Sequence, residues 1–155
     1  MIEELIAQLD AADPKIRQDA ATVLGDLGQQ ATEAVGVLQK RLRSANVSYH
    51  DRACAAWALS QIVRQGNERI IADLLHVLQT ATATPAADEL RFHCAVAAQQ
   101  LATDSGTPKA IEQLCATDPY WRCQVLAGME AEPDPDMELS RLAASSNSTL
   151  PNRFV

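Results

Sequence analysis

The 155 residues are 47% apolar and 21% charged, a balance that fits one soluble domain able to bury a core without a metal or disulfides. Thirteen basic residues against twenty acidic ones give a formal charge of -7, whose averaged field repels phosphate backbones and anionic lipid, so neither nucleic acid nor membrane is an expected partner. Aromatic residues make up only 4% while alanine is abundant, which favours helices packed at close range.

In chain order, Leu5, Ile6 and Leu9 form the apolar stripe of a first helix. Asp13-Pro14 then supplies an N-cap and an N1 proline for a second, whose buried side is predicted to be Ile16, Ala20, Val23, Leu24 and Leu27. Gly28 follows, where a chain leaving a helix often needs a left-handed residue. The pattern then recurs. Val35, Leu38 and Leu42 mark the next first helix, and Ala55, Ala56, Leu59 and Ile62 the next second helix, ending before Gly66. Ile71, Leu74, Leu75 and Leu78 precede Cys94, Ala95, Ala98 and Leu101, with Gly106 after them. Thr107-Pro108 opens a further first helix carrying Ala110, Ile111 and Leu114. Asp118-Pro119 opens a weaker second helix in which Val125, Leu126 and Met129 keep the pattern and Glu132 ends it.

The register is set by Arg17, Arg52, Arg91 and Arg122, spaced by 35, 39 and 31 residues, because the same apolar offsets follow each. One hairpin cannot bury its own stripe, whereas stacked neighbours share a core. The prediction is an all-α, right-handed α-solenoid of about four helical hairpins (1–29, 30–66, 67–106 and 107–132). After it come a capping helix and tail over 133–155, in which Pro133 and Pro135 precede Met137, Leu139 and Leu142. The tail residues Leu150 and Phe154 could dock on their own chain or on a second copy, which makes a homodimer a possible state.

The segment from Asp13 to Gly28, DPKIRQDAATVLGDLG, resembles the second half of a HEAT repeat of the phycobilisome-lyase type, and DPYWRCQVLAGM from Asp118 is a weaker copy. The resemblance covers roughly residues 1 to 132. It implies a ladder in which an acid near each turn and the following arginine link successive repeats, with Asp13 and Arg17, Asp88 and Arg91, and Asp118 and Arg122 in those places. The second repeat departs from this, since Ser48 and His50-Asp51 precede Arg52. Proteins with such repeats include scaffolds, adaptors, chaperones, bilin-attaching lyases and some DNA glycosylases, so the likeness specifies fold better than function.

In such stacks the second helices line the concave face, and offsets +1, +5, +8 and +12 from each arginine point towards it. The first repeat places Gln18, Thr22, Gly25 and Gln29 there. The second places Ala53, Trp57, Ser60 and Arg64, and the third Phe92, Val96, Gln99 and Thr103. Trp57, Phe92 and Val96 are thus predicted to form an exposed apolar patch, with Ser60, Gln61, Arg64, His93, Gln99 and Gln100 as polar contacts around it. Two other readings of the same residues are that the tail covers the patch and that the aromatic rings belong to the core. Trp121, at the offset of Ile16 and Leu90, is expected inside.

Catalytic signatures are absent: there is no G-x-S-x-G, H-E-x-x-H, P-loop or G-x-G-x-x-G motif. Asp19, Cys54, His93 and Gln124 share one offset, but helix axes about 8–10 Å apart keep short side chains from converging on one ion. No metal or cofactor is therefore expected. Cys54, Cys94, Cys115 and Cys123 lack C-x-x-C pairing and read as reduced, mostly buried thiols. The opening Met1-Ile2-Glu3-Glu4 has no secretory pattern, so a cytoplasmic chain is expected. The resulting expectation is a non-catalytic module that binds a protein or peptide on its concave face. The alternative is a bilin-handling, lyase-like or chaperone-like protein that uses the same face for a small hydrophobic ligand.

Overall fold

The computed structural model describes residues 1–81 and 84–116. Its helices are α1 (Ile2–Gln8), α2 (Pro14–Leu27), α3 (Val35–Arg43), α4 (Tyr49–Ile62), α5 (Glu68–Thr80), α6 (Asp88–Leu101) and α7 (Gly106–Cys115). Tighter 3-10 turns over Gly28–Ala34 and Pro85–Ala87 lead into α3 and α6. There is no strand among the described residues. The architecture is an all-α stack of hairpins: α1 pairs with α2, α3 with α4 and α5 with α6, while α2, α4 and α6 pack on one another in sequence. The expectations for Asp118, Trp121, Arg122, Cys123, the second helix after Asp118-Pro119, and the capping helix and tail lie outside the described residues.

Local chemistry fixes where the helices begin. The Asp13 carboxylate accepts from the Lys15 N–H at 2.9 Å, the Ser48 hydroxyl from Asp51 N–H at 3.2 Å, and Asn67 Oδ1 from Ile70 N–H at 3.1 Å. Gly28 leaves α2 at φ +57°, and Gly66 turns the loop after α4 at φ +80°, the left-handed conformation that their positions in the repeat predict. Gly106 does otherwise. It is the first residue of α7 and has no positive φ, because the helix starts ahead of Thr107-Pro108 and takes its cap from Asp104, whose Oδ1 accepts from Thr107 N–H at 2.8 Å.

The shared core consists of Leu24, Leu38, Leu42, Leu59, Ile70, Leu74, Leu90, Leu101 and Ile111, joined by a series of buried alanines. Ala55, Ala56 and Ala58 on α4 and Ala95, Ala97 and Ala98 on α6 are buried, and their small side chains let neighbouring second helices approach closely. Two residues predicted for the core are not in it, since Ile16 is 42% and Val23 41% exposed. At the same two offsets α4 carries Asp51 and Ala58, and α6 carries Leu90 and Ala97, all buried. In α4 this row faces the preceding hairpin, where Asp51 meets Arg17, and α2 is the first of the second helices described.

Arg17 shows how successive hairpins are tied. Its guanidinium donates to the carbonyls of Ala11 at 2.7 Å and Ala12 at 2.9 Å within its own turn, and its Nε donates to Asp51 Oδ2 at 2.9 Å in the next hairpin. Arg41, at the end of α3, reaches Asp10 at 2.7 Å and stands 3.9 Å from Asp51. The acid that meets Arg17 is therefore Asp51, not Asp13, which caps its own helix. Asp51 is only 8% exposed and occupies an offset that is apolar in the other repeats, so both arginines serve to compensate a buried charge. In the second repeat, Arg52 Nε donates to the Leu42 carbonyl at 2.9 Å, satisfying a free acceptor at the end of α3.

Candidate functional site

Residues three or four apart on a helix share a face, and this spacing on three consecutive second helices builds a groove. Gln18 and Thr22 of α2 form one wall. His50, Ala53, Cys54 and Trp57 of α4 form the floor, and Glu89 and His93 of α6 close the other side around a volume of about 240 Å³.

Trp57 holds the floor in place. It is half-buried against the core, and its ring stands so close to Gly25 of α2 that a Cβ there would clash with it. Glycine at position 25 is thus what lets the indole approach α2 so closely. Ala53, which shares the predicted concave row, is buried, whereas Gln18 and Thr22 are exposed. The row therefore sinks towards the core from the first repeat to the second.

A polar chain crosses the groove from α4 to α6. His50 Nδ1 lies 3.0 and 3.2 Å from the two carboxylate oxygens of Glu89, and its Nε2 lies 3.8 Å from Cys54 Sγ. With Nδ1–H donating to Glu89 and the thiol donating to Nε2, every member is satisfied. Burial, followed by the Glu89 and Asp51 charges, pushes the Cys54 thiol up to about 11. The nucleophilic form is thereby depleted roughly a hundredfold at neutral pH relative to an ordinary thiol, so the arrangement orders the groove's lining and does not activate sulfur. Iodoacetamide is expected to alkylate Cys54 at pH 7.5 about a hundredfold more slowly than a free cysteine. The rate should climb with pH through about 11; peptide mapping after timed alkylation reads this, and a rate like that of free cysteine would refute the assignment. Because the folded-state value is raised, the folded state gains from this group below the unfolded thiol's 9.0 and loses that gain as pH rises through about 11.

The predicted contacts divide between two places. Trp57 and His93 line the groove, and Phe92 stands edge-on to His93 with ring centroids 5.6 Å apart. Phe92 and Val96 are half-buried on α6. Ser60, Gln61 and Arg64 lie at or just beyond the end of α4, and Gln99 and Gln100 at the end of α6, past the groove's floor. There the Ser60 hydroxyl donates to the Trp57 carbonyl at 2.6 Å, Gln61 Nε2 donates to Ser60 Oγ at 3.1 Å, and Gln65 Nε2 donates to the Gln100 carbonyl at 3.2 Å. Sequence reasoning did not select His50, Cys54 or Glu89 as contacts. A signal existed, since His50 and Glu89 each stand two residues before a register arginine and seven before the position of Trp57 or its equivalent, which puts them on the same helix face.

No three of His, Cys, Asp and Glu stand close enough to hold a metal ion among the described residues. No described helix is long and apolar enough to cross a membrane. A family model described as HEAT repeats matches residues 2–89, and nothing in that match singles out the phycobilisome-lyase type. No curated protein and no solved structure matches the chain.

Proposed function

Because the chain belongs to the HEAT-repeat family, whose stacked hairpins commonly mediate protein–protein interaction, we propose that it is a non-catalytic interaction module. In this reading the groove across α2, α4 and α6 receives a side chain or short segment of a protein partner. The observation that carries the proposal is the groove itself, an indole-floored depression on the row of second helices rimmed by hydrogen-bonding groups. Such an aromatic anchor with a polar rim is the usual composition of a protein docking site. The volume of about 240 Å³ falls below the range of roughly 300–1,000 Å³ typical of small-molecule pockets, which favours a partner's side chain over a tetrapyrrole.

A photo-crosslinking residue at Gln18 tests this. It is expected to capture a protein partner in the native cell, and the adduct should disappear when Thr22→Arg fills the groove from an exposed position. The same probe at exposed Glu33, away from the groove, should give no such adduct. Equal adducts from Gln18 and Glu33 would overturn the reading. A shift in visible absorbance on mixing with an open-chain tetrapyrrole would instead point to ligand handling.

A further inference from the structure

The row of first helices carries a different surface. Between α3 and α5 lies an open groove of about 450 Å³ lined by Gly36, Gln39, Lys40, Arg43, Ser44 and Arg69. Three cations thus converge on one depression of a chain whose formal charge is -7.

Helix electrostatics account for two of them only in part. Lys40 and Arg43 lie in the last turn of α3, where the macrodipole favours positive charge. Arg69 lies in the first turn of α5, directly after Asn67 and Glu68, where the same dipole disfavours it. Nor do ion pairs explain the cluster, since neither Lys40 nor Arg69 makes one among the described residues. Asp73 is hydrogen-bonded by Gln39 and stands 3.9 Å from Arg43, and α3 contains no acidic residue. The space beside Gly36 is open, as a Cβ there would meet nothing within 4 Å.

We propose that this α3–α5 groove docks a short acidic peptide segment of a protein partner, its carboxylates held by Lys40, Arg43 and Arg69. The charge balance decides the length of the ligand. At physiological salt a charge is felt over about 8 Å, so a short acidic segment meets the local cations, whereas a long nucleic acid would run onto a surface that is acidic overall. The proposal uses the opposite helix row from the indole-floored groove, so either can fail without the other.

The test is fluorescence anisotropy of a labelled oligoglutamate peptide titrated with the full chain at low salt. Saturable binding is expected, weakened by added salt. It should fall about tenfold or more in the Lys40→Glu, Arg69→Glu double variant. Gly36→Glu should weaken it comparably while leaving the melting temperature at or above that of the parent, because it replaces a helical glycine, suits the first turn of α3 and sets a carboxylate one turn from Lys40. Thr22→Arg should leave it unchanged. Absence of saturable binding, retention of full affinity by both groove variants, or tighter binding of a single-stranded RNA of equal charge would each overturn the proposal.

Discussion

Asp51→Ala is expected to destabilise the protein by about 3–5 kcal/mol, the cost of breaking a buried ion pair by removing one partner. Asp51 is 8% exposed and accepts from Arg17 at 2.9 Å, with Arg41 at 3.9 Å. Without the carboxylate, two guanidinium groups face each other across the junction of the first and second hairpins. The loss would therefore spread beyond α4. Removing Arg17 as well should recover part of it, and chemical denaturation of the single and double variants measures that coupling. A loss below about 1 kcal/mol would place the pair among solvent-screened surface bridges and remove its role in joining the hairpins.

Leu59→Ala should cost about 2–5 kcal/mol by leaving a cavity at the centre of the stack. Leu59 is fully buried, and α4 packs against α2, α3 and α6, so few neighbours can shift to fill the space. Because each repeat is stabilised chiefly by the next, amide exchange should accelerate in α2 and α6 as well as in α4. A melting temperature within a degree of the parent would count against the repeat register.

The periodic part of the fold was legible in the sequence because the core is periodic. Leu24, Leu59 and Ala98 sit seven residues after their arginines, and all three are buried. Asp13-Pro14 predicted a helix start, and Gly28 and Gly66 predicted two helix exits, since caps and positive φ are local requirements. Where a position depends on a neighbouring repeat, the same rules missed. Ile16 and Val23 are apolar residues at core offsets, yet they are exposed, whereas the residues at the same offsets of α4 and α6 are buried. Asp51 is a charged residue at an offset that is apolar in the other repeats, and its burial depends on two arginines that converge on it from elsewhere in the chain.

The candidate site shows the same division. Helical geometry placed Trp57, Gln18 and Thr22 on one row, and the structure brings them to one groove. The depth of the indole follows from Gly25 one repeat earlier, and the polar chain from Cys54 to Glu89 follows from α4 and α6 lying side by side.

Among the described residues, helix type, register and the pairing of helices into hairpins were thus determined by the amino-acid sequence alone, since each depends on spacings of four to about forty residues that repeat along the chain. Only the tertiary structure decided which side chains meet across repeats: Trp57 with Gly25, His50 with Glu89, Arg17 with Asp51, and the cations of α3 with Arg69. The physical reason is that the distance between stacked helices depends on the size of side chains on both, and a single helical wheel contains no information about its neighbour.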